Sequence, residues 1–308
     1  MLLGGHMGSH DGDAGSVVGD DPLLPLVLAV LEHYGYACTL ISADEVEVSR
    51  PDRADVNPYR IRLTNLRQWT AREPRDQWPA LVSDFLGSLI AATEADLNDG
   101  ALDLDDYASV RSLLRMRLYA EDIDDELDLV CRAVAPGLCE VVVIDKPTTL
   151  MVLTAEIAKE WPVDWDELFR VARENVRSDG PLDAHVQPVG GTRLASLYGD
   201  TAYVTGHALW VGDYPVTGPY GALLAVPTQS VVHAAPLEGA AVPDAINKLI
   251  GLAWTEYRQG PRSVQPHIYR WHEGELSLAG TVEQSADSSL TVQITPEFQD
   301  CLEELIRD

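Results

Sequence analysis

Positive charge is what this chain has least of. It contains three lysines, Lys146, Lys159 and Lys248, and its 22 lysines and arginines stand against 49 aspartates and glutamates, a formal net charge of −27 at pH 7. A surface of that sign repels phosphate backbones and anionic lipid heads, so neither nucleic acid nor a membrane is an expected partner, whereas a basic protein is. None of the three lysines follows a glycine, and no G-x-G-x-x-G opens a helix, so neither common phosphate cradle is present. Cysteine is scarce too. Cys38, Cys131, Cys139 and Cys301 show no C-x-x-C spacing and read as reduced thiols. The longest apolar run, Pro22 to Leu31, is far short of the roughly 20 residues that cross a bilayer. The first residues carry neither a basic segment nor a sustained apolar one, so a signal peptide is not expected and a soluble cytoplasmic protein is.

Chemistry-bearing motifs are equally thin. There is no H-E-x-x-H, no Cys/His cluster and no G-x-S-x-G elbow. Asp103-Leu104-Asp105-Asp106 hints at a calcium loop, but position 12 would be Leu114 instead of the required glutamate. His267 and His272 are five apart on one expected strand and point to opposite faces, and Ser230 and His233 are likewise split by odd spacing. No metal or cofactor is therefore expected.

What the chain does contain is a readable pattern of elements. Residues 1–20 are rich in Gly, Asp and Ser and read as a flexible leader. A helix follows with Leu24, Val27, Leu28 and Leu31 on one face and Gly35 at its end. Strands are expected at Ala37–Ser42, Glu45–Arg50 and Tyr59–Leu63. Val82, Phe85, Leu86, Leu89 and Ile90 recur at helical spacing, and Pro79 sits in that helix's first turn. Leu113–Tyr119 alternates as a strand. Ile123, Leu127, Val130, Cys131 and Val134 predict a helix over Ile123–Ala135, stopped by Pro136-Gly137.

In the second half, Asp164 and Glu167 have capping-box spacing and open a helix closed by Gly180-Pro181. Strands are expected at Ala184–Val189, Arg193–Leu197, Thr201–Thr205, Ala222–Val226 and Ser230–Ala234, and a helix at Pro243–Gln259. With Glu273-Gly274 as a two-residue turn, Tyr269 and Trp271 face Leu278 and Leu276, and Arg270 and His272 face Ser277 and Glu275. A strand near Leu290–Ile294 leads to a helix with Thr295 as N-cap and Pro296 at N1. Helices and antiparallel strands in blocks predict an α+β fold. The expected organisation is a leader at 1–20, an α+β domain at 21–160 and a second at 161–308.

Two regions attract functional interest. From Glu94 to Asp128 there are twelve acids and three arginines, and Glu121, Asp122, Asp124, Asp125, Glu126 and Asp128 form a candidate docking face for a basic partner. The basic stretch Arg60–Arg75 around Trp69 is the expected internal partner of that acidic segment. Separately, Asn175, Arg177, His185 and His207 place polar groups at a helix end and on neighbouring segments, where they could converge as a ligand site at the junction of the two halves.

Three stretches carry a family resemblance. Ala172-Arg173-Glu174-Asn175-Val176-Arg177-Ser178 is similar to an A-x-x-N-L-R-S helix end. Leu224-Ala225-Val226-Pro227 with Val231-Val232 is similar to an I-A-V-P strand and its successor. Tyr269-Arg270-Trp271 with Gly274-Glu275-Leu276 is similar to a closing hairpin. Together, over about residues 110–280, they resemble the YtpQ-type family of bacterial proteins, which carries a domain of unknown function. The resemblance implies a cytoplasmic α+β protein and brings no catalytic residue with it. Two functions stay open: a non-enzymatic protein-binding or regulatory module, immunity-like in character, and a hydrolase or small-ligand enzyme.

Overall fold

A computed structural model describes residues 21–53, 58–98, 102–123, 128–147, 149–239, 242–285 and 289–307. The leader expected over residues 1–20 lies outside them. Antiparallel sheets and helices alternate in blocks, an α+β protein as the sequence predicts. The chain separates into two units, one ending at Ala92 and the other beginning at Thr93. The boundary expected at 160/161 falls inside the second unit, because strands and helix on either side of it bury their apolar faces in one shared core, Val142 and Leu153 with Leu168 and Phe169.

The first unit is built from α1 (Leu24–His33), β1 (Ala37–Ser42), β2 (Glu45–Ser49), β3 (Tyr59–Arg62), α2 (Thr64–Thr70) and α3 (Trp78–Asn98). Its strands form a meander, β1-β2-β3. Leu24, Val27 and Leu31 on α1 and Val82, Leu86 and Ile90 on α3 are buried with Val46, Val48 and Ile61 of the sheet. Gly35, at φ +83°, lets the chain leave α1 while its N–H still reaches the Glu32 carbonyl. The basic stretch is satisfied locally. Arg60 lies beside Glu45 and Glu47, and Arg67 bonds Asp21 and Asp44 at 2.6 Å each, in place of the acidic segment expected to neutralise them.

The second unit contains two sheets. α4 (Tyr107–Val110) leads to β4 (Leu114–Ala120), β5 (Cys131–Ala135), β6 (Leu138–Asp145) and β7 (Leu150–Val152), a four-stranded sheet in which β6 is flanked by β4 on one side and by β5 and β7 on the other. The helix predicted over Ile123–Ala135 is therefore wrong at its end: Cys131–Ala135 is a strand. Its apolar spacing suits a helix, but β6 is buried along almost its whole length and needs partners along both edges, and β5 supplies one of them. Glu140 on β6 is fully buried, held by Arg173 at 2.6 Å and by Arg132 at 2.9 Å.

α5 (Ala155–Ala158) and α6 (Trp165–Ser178) follow. Asp164 caps α6 through the Glu167 N–H at 2.9 Å, while the Glu167 carboxylate turns outward to Arg170, so half of the predicted capping box forms. The other sheet has the order β14-β13-β12-β10-β11-β9-β8, from β8 (Asp183–Val189), β9 (Thr192–Tyr198), β10 (Ala222–Thr228), β11 (Val231–Pro236), β12 (Ile268–His272), β13 (Glu275–Gln284) and β14 (Leu290–Ile294). The predicted hairpin register holds pair for pair: Tyr269 opposite Leu278, Arg270 opposite Ser277, Trp271 opposite Leu276 and His272 opposite Glu275. α7 (Val242–Gln259) and α8 (Pro296–Arg307) cover one face, over Leu194, Leu223, Ala225 and Ile268. The alternate residues Ala195, Leu197, Leu224 and Tyr269 turn to the opposite face and join the core that contains α6 and the four-stranded sheet.

Between the sheets runs a 3-10 segment, Val204–Asp213, where a strand at Thr201–Thr205 was expected. The reason is the open edge of β4. Thr205 Oγ1 accepts from the Leu118 N–H at 2.9 Å, and Gln229 Nε2 donates to the Leu118 carbonyl at 2.7 Å, so two side chains close an edge that would otherwise need a further strand.

Candidate functional site

The C-terminal end of α6 and the 3-10 segment enclose a cleft of ≈ 460 Å³ that includes Arg177, Leu182, Ala184, His207, Trp210 and Tyr214. A smaller recess of ≈ 230 Å³ shares Gly180, Pro181, Leu182 and His207 with it and is bounded by Asp179, Asp183 and Asp200. The local chain path explains the concavity. Asp179 ends α6, and Gly180, at φ +103°, reverses the backbone so that Pro181 and Leu182 turn into β8. All lining residues fall within 176–215, so the site belongs to one unit and does not straddle the expected 160/161 junction.

His207 is the common wall of both cavities, and its hydrogen bonds fix its state. The Tyr214 hydroxyl accepts from the Leu182 N–H at 2.9 Å and lies 2.7 Å from His207 Nδ1. Trp210 Nε1, a donor only, reaches the same nitrogen at 3.2 Å. Nδ1 is therefore unprotonated, and the neutral ring carries its hydrogen on Nε2. Among the described residues nothing accepts from Nε2. Burial lowers the His207 pKa to about 4, with the nearby Arg177 guanidinium acting in the same direction. At neutral pH the imidazole is thus an uncharged N–H donor facing the cleft, with no lone pair free to act as a base.

The walls on either side of that donor differ in charge. Arg177 pairs with Asp213 and lies over the Trp210 ring, 5.2 Å from its centroid. Asp179 is neutralised by Arg115 through a bidentate pair at 2.8 and 3.1 Å. Asp183 and Asp200 have no cationic partner among the described residues, and the carbonyl end of α6 adds partial negative charge beside them. The cleft thus carries the Arg177–Asp213 pair and the aromatic rings, the recess carries Asp183 and Asp200, and His207 lines both.

Of the four ligand-site candidates, the structure brings together Arg177 and His207. Asn175 is occupied elsewhere: its Nδ2 donates to the Arg111 and Leu114 carbonyls, both at 2.9 Å, tying α6 to the start of β4. His185 points the other way. Ala184 lines the cleft, and strand alternation turns His185 to the face covered by α7, opposite Ser196. In the acidic segment, Glu121 Oε2 accepts from the Gly137 N–H at 3.0 Å, Asp122 is exposed, and Asp128 has φ +42° with its carbonyl bonded to the Ala155 N–H. Asp124, Asp125 and Glu126 lie outside the described residues.

Trp210, Tyr214, Asp183 and Asp200 were not singled out in the sequence. The density of aromatic residues after His207 was the available signal for the first two. Among the described residues no group of three or more His, Cys, Asp or Glu side chains is placed to hold a metal ion. The buried Cys139 thiol is pushed up to about 12 by desolvation and is inert as a nucleophile at neutral pH. No described helix is long and apolar enough to cross a membrane. Compared with family models, curated proteins and solved structures, the chain finds no match.

Proposed function

We propose that the second unit is a receptor domain for a small zwitterion of amino-acid type. The single observation that carries this reading is the unshared Nε2–H of neutral His207, which lines both the cleft of Arg177 and the recess of Asp183 and Asp200. A ligand carboxylate accepts from Nε2–H and from guanidinium hydrogens of Arg177 left over from Asp213, since that group has five donors. The ligand ammonium is held by Asp183 and Asp200, and its apolar part rests on Trp210 and Leu182. The lone pair of His207 Nδ1 is taken by Tyr214 and Trp210, and the reading is binding without turnover. It belongs with a cytoplasmic protein of the YtpQ-type family, an assignment supported by the three similar stretches, which fall on α6, on β10 with β11, and on the β12–β13 hairpin.

The test is a thermal-shift screen of the free amino acids at millimolar concentration, followed by calorimetry on any that act, with their N-acetyl and amide derivatives as controls. A free amino acid that raises the melting temperature while both derivatives fail supports the reading, and Asp183→Asn with Asp200→Asn should remove the effect. No shift from any member of the panel overturns it.

A second reading, docking of a basic protein, is favoured by the exposure of Glu121 and Asp122 just beyond β4 on a chain of net charge −27. Reversing Glu121 and Asp122 to lysine should abolish salt-sensitive capture of a basic partner from native host extract. Capture unchanged by the reversal removes that reading.

A further inference from the structure

We propose that Ser196, His233 and Glu256 form a nucleophilic serine site on the opposite face of the seven-stranded sheet, acting on small carboxylic esters. Three elements distant in sequence bring it together. Ser196 on β9 and His233 on β11 are directly opposed in the ladder, and both side chains lie on the face covered by α7. Ser196 Oγ is 2.8 Å from His233 Nδ1, and His233 Nε2 is 2.8 Å from Glu256 Oε2 on α7.

The donor order follows from the groups themselves. An ionised carboxylate only accepts, so Nε2–H donates to Glu256. In the neutral ring Nδ1 is then the acceptor, and the serine hydroxyl donates to it. Hydroxyl to imidazole to carboxylate is the direction that removes a proton from serine as its oxygen attacks, while the carboxylate holds the tautomer. The two ring nitrogens exchange the roles they take in serine proteases, and the chain of donors is unaffected by that exchange.

Access is one-sided. His233 is buried, at 3% exposure, whereas Ser196 is partly exposed and lies one strand in from the β8 edge. On that edge His185, exposed, is the direct cross-strand neighbour of Ser196, at a spacing of about 5 Å between Cβ atoms for such pairs. On that exposed edge the imidazole of His185 is the group available to donate an N–H to a carbonyl that approaches Ser196. It is therefore the positioning donor for the oxyanion that attack creates. A shallow approach over an open edge suits a short, unhindered acyl group.

The step balances as follows. The Ser196 Oγ–carbon bond forms as its proton passes to His233 Nδ1 and the carbonyl electron pair moves to oxygen. The carbon–alkoxy bond then breaks, and the departing alcohol takes the proton from His233. Water repeats the sequence on the acyl-serine, releasing the carboxylic acid and restoring Ser196. The net reaction is ester plus water to acid plus alcohol.

The full chain is treated with a fluorophosphonate and read by intact mass and peptide mapping, alongside turnover of p-nitrophenyl acetate. In labelling, the Oγ–phosphorus bond forms, fluoride leaves and His233 takes the proton. One adduct at Ser196 is expected, with none in Ser196→Ala, a labelling rate at least 10-fold lower in Glu256→Gln, and a smaller reduction in His185→Ala. Circular dichroism checks that each variant is folded. If Ser196→Ala does not fold, Ser196→Cys keeps the shape, and its thiol should alkylate with iodoacetamide faster at pH 6 than in the Ser196→Cys, Glu256→Gln double variant. Labelling no faster than that of other serines, or equal alkylation in the two cysteine variants, overturns the site and leaves a helix-to-sheet tether. The test is independent of the His207 cleft, which it does not touch.

Discussion

Acid should expose the state of His207 more directly than any ligand. A histidine whose pKa is lowered from 6.5 to about 4 binds its proton more readily in the unfolded chain than in the folded one. Stability is therefore complete above pH 6.5, falls as the pH drops through the window from 6.5 to 4, and reaches its full loss below that window. The shift corresponds to about 3 kcal/mol in total, of which about 1 kcal/mol is lost by pH 5.5 and about 2–3 kcal/mol by pH 4.5. Replacing the ring by leucine changes two things. It leaves the Tyr214 hydroxyl and the Trp210 N–H without their acceptor, at a cost of about 2–4 kcal/mol near neutral pH. It also deletes the titrating group. Urea denaturation of wild type and His207→Leu, followed by circular dichroism at pH 7.5, 5.5 and 4.5, should therefore show the gap between them narrowing by about 2–3 kcal/mol over that range. Carboxylates titrate in both proteins and cancel in the difference. Parallel stability curves would refute the argument, because a histidine held neutral by its surroundings must destabilise the fold when it is forced to charge.

Three further substitutions test other parts of the second unit. Glu140→Ala removes the buried carboxylate that pairs with the half-exposed Arg132 and Arg173 and should cost about 1.5–3 kcal/mol by urea denaturation; a loss under about 1 kcal/mol would mean that the guanidinium groups find water instead. In Gly212→Ala the new Cβ would lie 2.1 Å from the Trp271 ring, so the indole must move; a loss of about 1–3 kcal/mol and a shifted tryptophan emission are expected, and an unaltered spectrum would contradict the packing. Asn175→Ala should cost about 1–2 kcal/mol through two lost bonds to β4 and its approach, while leaving amino-acid binding in the cleft unchanged; weakened binding in calorimetry would place Asn175 back among the ligand residues.

What the sequence revealed of the fold follows the range of the interactions involved. The β12–β13 hairpin was legible because its register depends on two adjacent residues. Glu273 at φ +49° and Gly274 at φ +89° make the tight turn, and alternation does the rest. α6 was legible from its Asp164 cap and Gly180 stop. Ile123–Ala135 was misread because spacing alone cannot report that β6 needs a partner. Thr201–Thr205 was misread because the bond from Leu118 to Thr205 that replaces a strand joins residues 87 apart. The sites obey the same distinction. Arg177 and His207 stood out as polar groups near a helix end, yet the convergence of Trp210 and Tyr214 on one ring nitrogen depends on the break in the 3-10 segment at Trp210, φ −131° and ψ 38°. The local sequence offers His233 only Ser230, and odd spacing splits those two. The partner of His233 is Ser196, which no local pattern indicates, because β11 pairs with β9 across a non-consecutive step of the sheet.

One edge strand connects the two sites. In β8, Ala184 lines the His207 cleft and His185 stands beside Ser196, so consecutive residues serve opposite faces. A slip of one residue would turn both side chains to the wrong side at once. The register is held at each end by a contact that a slip would break. At the start, the Leu182 N–H is bonded to the Tyr214 hydroxyl, which in turn orients His207. At the far end, Gly190 makes the turn into β9 at φ +57° under Asp244 of α7, where any Cβ would come within 2.4 Å of the carboxylate. The bond that sets the tautomer of the cleft histidine is thus also one of the two that keep His185 opposite Ser196, and the geometry of each site depends on the same registration of β8.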